Sequence, residues 1–280
     1  MLSRILSTAL LWSIVLASLW FFGEQAVVWL LTTIAALTLH EFYGLTVKMG
    51  AKPFRWLGLF FGVLLTAAPY YVATYLPDVE EIIGLAPGLL ALAAVVFSMR
   101  CLGERDNSNR MEALAATLLG LLCIPFMLQY LVRIMLLTSE ENAGVLLCLW
   151  VVAVSKFCDV GALLTGLAFG RHKMAPNISP KKTWEGAVGG VLVSAGVGAA
   201  FAYFADDLLP EKLTPLVAAL VALPLAVTTI VSDLIESALK RRADTKDTGA
   251  IIPGIGGAFD LSDSLILTAP VAYFILLFLV

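Results

Sequence analysis

Charge is scarce in this sequence. Of 280 residues only 14% are Asp, Glu, Lys or Arg, where a soluble globular domain carries about a quarter. No charged stretch is long enough to fold as a soluble sensor or nucleic-acid-binding domain, so nucleic acid is not an expected partner. The net charge of -3 favours no class of ligand. Histidine is almost missing, and His40 and His172 are poorly placed for a zinc centre. The cysteines Cys101, Cys123, Cys148 and Cys158 form no C-x-x-C pair, which excludes a zinc knuckle or a thioredoxin-type motif. Each lies in or beside an apolar run and reads as a buried, inert thiol. There is no P-loop and no repeat of solenoid length.

What remains is mostly hydrocarbon. Hydrophobic residues make up 60% of the chain, and its mean hydropathy is +0.93. The expectation is an all-α, polytopic integral membrane protein. A span takes roughly 20 apolar residues. Nine such segments can be marked, at about 5–22, 26–47, 56–76, 82–100, 112–137, 144–170, 186–205, 213–239 and 262–280. Arg4 ahead of the first apolar run mimics a signal peptide. No small-x-small cleavage site follows, so an uncleaved first helix is expected.

Loop charges test that count. Fourteen of the 18 lysines and arginines fall after the second, fourth, sixth and eighth segments. The alternate loops carry Glu24, then Asp78, Glu80 and Glu81, then Glu140 and Glu141, then Asp206, Asp207 and Glu211, with Lys212 as their one cation. Positive loops stay in the cytoplasm, which places the N-terminus and the even-numbered loops there. A missed or invented helix would break the alternation. In the seventh segment Gly186, Gly189, Gly190, Ser194, Gly196 and Gly198 have the spacing that lets helices approach closely, and packing is the favoured reading for them.

Against this background one stretch is conspicuous. Ser232 to Asp263 sets the acids Asp233, Asp247, Asp260 and Asp263 beside the cations Lys240, Arg241, Arg242 and Lys246. Asp233, Glu236, Ser237 and Lys240 recur at i, i+3, i+4 and i+7, a polar stripe that must face protein or water, not lipid. Pro253-Gly254-Ile255-Gly256-Gly257 supplies a tight turn open to close approach, and Asp260 and Asp263 then lie one helical turn apart. Hard oxygen ligands beside phosphate-binding cations suit Mg²⁺ held partly through substrate phosphates. Elsewhere Glu41 lies late in the second segment beside His40. Lys156 and Asp159 share one face of the sixth, as a neutralised pair or, for Asp159, as the wall of a cavity. Arg133 reads as a side chain snorkelling to the interface. The loop from Arg171 to Gly186 contains Ser179-Pro180-Lys181-Lys182-Thr183-Trp184-Glu185-Gly186, where two lysines precede a helix start. It is either a head-group anchor or a phosphate site.

At these residues the chain resembles the phosphatidate cytidylyltransferase (CDP-diacylglycerol synthase) family. The resemblance covers about Asp159 to Asp263, with a weaker echo around Glu41. It rests on Ser179–Gly186 and on the run from Ser237 to Asp263. The family pattern has His, Arg and Gly where this chain has Ile255, Leu261 and Ser232. The resemblance implies a membrane enzyme with about nine helices, a homodimer, and Mg²⁺ with a monovalent cation such as K⁺ as second ion. It places the metal pair on Asp233 and Asp260. Residues 1–140 are expected to form scaffold, lipid access and dimer contacts, and 141–280 to carry the catalytic motifs.

The reaction so implied joins CTP and phosphatidic acid to give CDP-diacylglycerol and pyrophosphate. The lipid phosphate is already an anion, so positioning and charge neutralisation carry the step. Asp233, Asp260, Asp263, Asp247 and Lys240 are the expected catalytic group. Ser179, Lys181, Lys182, Thr183, Glu185, Arg241, Lys246, Asp159 and Arg171 are expected to bind substrate. The expected setting is a bacterial inner (cytoplasmic) membrane with the active site facing the cytoplasm. Three alternatives share these residues: a CTP-dependent lipid kinase or other transferase, a low-activity relative, and a transporter using Glu41, Lys156 and Asp159. The transporter predicts inverted repeats, which are not visible.

Overall fold

The computed structural model describes residues 13, 17–76, 85–103, 110–138, 142–245, 248–249 and 256–280. The elements are α1 Glu24–Lys48, α2 Arg55–Tyr75, α3 Leu85–Leu102, α4 Arg110–Cys123, α5 Pro125–Met135, α6 Ala143–Phe169, β1 Lys173–Ala175, β2 Ser179–Thr183, α7 Trp184–Phe204, α8 Pro215–Arg242, α9 Ala258–Ile266 and α10 Thr268–Leu276. A single 3₁₀ turn, Asp206–Leu208, precedes α8. With α4–α5 and α9–α10 each taken as one span, eight helices among the described residues are long and apolar enough to cross a membrane. The first expected segment, 5–22, lies outside the described residues except for Ser13 and 17–22, as do Arg4, Asp78, Glu80, Glu81, Arg105, Glu140 and Glu141. Leucines, phenylalanines and tryptophans stand outward along nearly every helix, with Leu167 77% and Phe204 84% exposed. That much apolar surface belongs in lipid.

The chain forms two compact units, Met1–Val132 with Arg242–Ser262, and Arg133–Arg241 with Asp263–Val280. The first is a bundle in which α1 packs on α2 and α4, and α3 on α2 and α4. Its core includes Ala35, Leu39, Phe42 and Tyr43 of α1 and an edge-to-face pair, Phe61 and Phe97, with centroids 5.5 Å apart. Polar groups pair inside it. Tyr43 donates its hydroxyl to the Thr117 carbonyl at 3.0 Å, and Thr117 Oγ1 accepts from Phe54 N at 2.9 Å.

In the second unit α6 and α7 pack along most of their length. A Cβ on Gly190 would lie 2.7 Å from the Cys158 carbonyl, so the small-residue spacing of α7 does serve close approach. Ser194 Oγ donates to Val154 O at 2.9 Å and Trp150 Nε1 to Gly198 O at 3.0 Å, tying the two helices together where no water competes.

Four local features depart from the sequence expectation. The fifth span breaks at Ile124, because Pro125 has no N–H to continue the ladder. The eighth runs on to Arg242, so Lys240, Arg241 and Arg242 lie on the helix and not in the loop after it. A Glu236–Lys240 ion pair at i, i+4 supports that extension. The loop after α6 is a β-hairpin, with Lys173 opposite Thr183 and Ala175 opposite Ser179, the only sheet among the described residues. The last span begins at Ala258, not 262, and breaks at Leu267. There Leu267 N donates to Ser232 Oγ at 3.4 Å, and Ser232 Oγ donates to the Asp263 carbonyl. Leu267 and Asp263 are the i and i-4 partners of an α-helix, so a side chain of α8 stands between them and opens the ladder.

Candidate active site

In the second unit α8 presents its polar stripe. Ligand oxygens of Asp233, Glu236 and Asp263 lie within 4.8 Å of one another. Three ammonium groups are set among the acids. Lys182 of β2 pairs with Asp233. Lys240 Nζ meets Glu236 Oε1 at 2.6 Å, with Glu236 almost fully buried. Lys156 of α6 donates to Ser264 Oγ at 2.7 Å and lies 3.8 Å from Asp263 and 4.0 Å from Asp159. Carboxylates packed this closely repel one another, and the interleaved ammonium groups offset that repulsion. A hard-oxygen set of this kind fits a divalent cation.

The hairpin is fastened at its root. Thr183 caps α7, its Oγ1 accepting from Gly186 N at 3.1 Å. Glu185 accepts from the backbone N–H groups of Arg171 and His172, and meets His172 Nδ1 at 2.6 Å. Arg241 of α8 donates from Nε to Ile178 O at 3.2 Å, at the hairpin turn. These contacts hold Lys181 and Lys182 along the rim of a cavity of about 540 Å³. Asp159, Lys173, Lys181, Lys182 and Asp233 line it beside the apolar Leu163, Leu167, Met174, Ala187 and Ile230. The wall offers charge and hydrocarbon together.

Asp260 belongs to the first unit. Its Oδ2 accepts from Gly257 N at 2.9 Å and from Thr248 Oγ1 at 2.9 Å. Thr248 Oγ1 also lies 2.9 Å from Glu41 Oε2. Glu41 accepts from Ala258 N and Phe259 N at 3.0 and 2.9 Å. A Cβ on Gly257 would collide with Glu41 and Thr248, so the glycine pair before α9 makes room for the Glu41 carboxylate. Lys246, Asp247 and Ile255 lie outside the described residues. Leu261, half-buried, continues α9 through its N–H to the Gly257 carbonyl at 3.3 Å.

Of the residues selected from sequence, the second unit brings together Asp159, Lys181, Lys182, Thr183, Asp233, Lys240, Arg241 and Asp263, with Ser179 on the same hairpin and Arg171 and Glu185 at its root. Lys156, Glu236 and Ser264 in the second unit, and Glu41 and Thr248 in the first, make these contacts without having been among the expected site residues. Ser264 and Thr248 carry no sequence signal that distinguishes them from any other hydroxyl. Glu236 stood in the polar stripe, and its phase beside Asp233 was the available clue.

The cytidylyltransferase family model matches residues 2–279. Among curated relatives, a phosphatidate cytidylyltransferase of Rickettsia bellii is 38% identical over 161 residues, 56% of this chain and 68% of that protein. One of Thermotoga maritima is 29% identical over 260 residues, 91% of this chain and 89% of its own length. One of Mycobacterium tuberculosis is 32% identical over 174 residues, 62% of this chain and 50% of the relative. With acidic and basic side chains gathered around a mixed cavity, and a family match that runs from one end of the sequence to the other, this chain belongs to the cytidylyltransferase family.

Proposed function

We propose that this chain is a phosphatidate cytidylyltransferase, which transfers CMP from CTP to phosphatidic acid and releases pyrophosphate. The observation that carries the reading is the cavity of the second unit, lined both by phosphate-binding lysines beside acids and by aliphatic side chains. A substrate with an anionic head and a hydrocarbon tail meets both needs. The relatives' names point the same way.

A phosphatidate oxygen attacks the α-phosphorus of CTP, and the bond from that phosphorus to the bridging oxygen of the β-phosphate breaks. The nucleophile is already anionic, so no proton need be removed. What the protein supplies is neutralisation of like charge and a fixed approach. Lys181 and Lys182 hold the triphosphate and the departing pyrophosphate as point charges. Lys182 exchanges its partner Asp233 for phosphate as substrate enters. Thr183 and Glu185 keep the hairpin seated on α7, and Arg241 steadies its turn. Lys240 keeps the Glu236 carboxylate neutralised, and Lys156 does the same for Asp159 and Asp263.

Asp233, with Glu236 and Asp263 beside it, would hold Mg²⁺ in this unit. The resemblance adds Asp260 as a metal ligand and K⁺ as a second cation. A bound cation would neutralise phosphate charge in the transition state. The clustering of Lys and Arg in alternate loops supports a cytoplasmic N-terminus and an active site facing the cytoplasm, as in a bacterial inner membrane.

The test is pyrophosphate release by the purified chain in lipid nanodiscs. Release that requires CTP, phosphatidic acid and Mg²⁺ together is the expected result. Release independent of phosphatidic acid, or none under any of these conditions, contradicts the proposal.

A further inference from the structure

Glu41 is the intramembrane acid that the proposed reaction leaves unused. It lies two turns before the end of α1 and is 6% exposed. Among the described residues no lysine or arginine pairs with it. Its charge is met by the chain itself. Oε1 accepts from Ala258 N at 3.0 Å and Oε2 from Phe259 N at 2.9 Å, and the Thr248 hydroxyl, 2.9 Å from Oε2, shares its one proton between Glu41 and Asp260. Ala258 and Phe259 are the first two residues of α9. Their N–H groups have no partner within the helix and sit at the positive end of its dipole. Asp260 covers the preceding one, Gly257 N, from inside the same turn. Two carboxylates therefore cap one helix start, and Thr248 Oγ1 stands between them, 2.9 Å from each. Room for this comes from glycine. A Cβ on Gly249 would strike Glu41, one on Gly257 would strike Glu41 and Thr248, and one on Gly256 would lie 3.0 Å from Asp260 Oδ2.

We propose that Glu41 is a positioning residue for Asp260. By capping α9 and holding Thr248 against the Asp260 carboxylate, it fixes that carboxylate's rotamer from a membrane helix. The inference rests on the proposed metal-binding role of Asp260. Removing such a partner behind a ligand weakens metal affinity although the ligand itself is untouched.

The experiment uses the full chain in nanodiscs with Mn²⁺ as the probe, bound ion being measured by electron paramagnetic resonance and turnover with CTP and phosphatidic acid in parallel. Asp260→Asn sets the reference loss. Glu41→Gln and Thr248→Val are each expected to weaken Mn²⁺ affinity about 10- to 100-fold in folded protein, with Thr248→Ser restoring it. If Asp260→Asn loses Mn²⁺ while Glu41→Gln and Thr248→Val bind it as tightly as the parent, the positioning role is overturned. It is overturned as well if Glu41→Gln lowers only the melting temperature. Should Glu41→Gln fail to fold, Thr248→Val decides alone. If Asp260→Asn binds Mn²⁺ normally, the metal role of Asp260 is wrong and the inference falls with it.

Discussion

The two units offset the charge of their carboxylates in opposite ways. In the second, Asp159, Asp233, Glu236 and Asp263 are matched with the ammonium groups of Lys156, Lys182 and Lys240. In the first, Glu41 is matched with two backbone N–H groups and a threonine hydroxyl. An ammonium group on a four-carbon stem can leave one anion for another. A helix-terminal N–H cannot. In the proposed reaction the lysine-matched acids would exchange partners as cations and phosphates come and go, while Glu41 would stay a permanent joint. Exchange is what a transferase needs where its substrates bind, and permanence is what it needs where a ligand must be aimed.

The largest effect that would sharpen this contrast is metal removal. Chelation of divalent cations is expected to abolish turnover, and added Mg²⁺ to restore it. Next comes Lys182→Ala. Loss of a charge-assisted contact to phosphate is expected to lower kcat/KM for CTP about 10- to 100-fold, a cost of roughly 1.5–3 kcal/mol in transition-state binding. An exchangeable partner also predicts that this variant binds Mn²⁺ without nucleotide at least as tightly as the parent. Weaker binding would break the comparison.

Among effects on stability, the larger is at the Glu236–Lys240 pair. Lys240→Met removes the ammonium group paired with a buried carboxylate and is expected to cost about 3–5 kcal/mol of stability, whereas the double change Glu236→Leu with Lys240→Met costs much less. Equal losses in the single and double variants would mean the pair is not coupled. Smallest is Thr183→Ala, which removes the cap of α7 and is expected to cost about 1 kcal/mol. Thermal or denaturant unfolding of the purified chain reads both.

Much of this was legible in the sequence, and the exceptions have physical causes. The apolar segments and their order could be read because lipid demands about 20 apolar residues per span, whatever the tertiary structure. The break at Ile124 could have been read from Pro125. The break at Leu267 could not, because it comes from Ser232, a side chain 35 residues away. The hairpin escaped because Lys-Met-Ala and Ser-Pro-Lys-Lys-Thr have no apolar alternation to mark them. Asp233, Lys182 and Asp263 stood out because charge is rare in such a chain, and rarity points to function. Glu41 stood out for the same reason, but its partners, 217 and 218 residues further on, are backbone groups that no pattern of side chains announces. The Gly256–Gly257 pair could be read as allowing close approach, and the structure identifies the approaching group as Glu41.

The most direct test of the central claim follows the phosphorus atoms. The purified chain in nanodiscs is given phosphatidic acid, Mg²⁺ and CTP labelled at either the α- or the γ-phosphate. The account predicts that the α-label enters the lipid while the γ-label leaves as pyrophosphate in equal amount. Transfer of the γ-label to lipid with release of CDP, or retention of both labels in CTP, would contradict it.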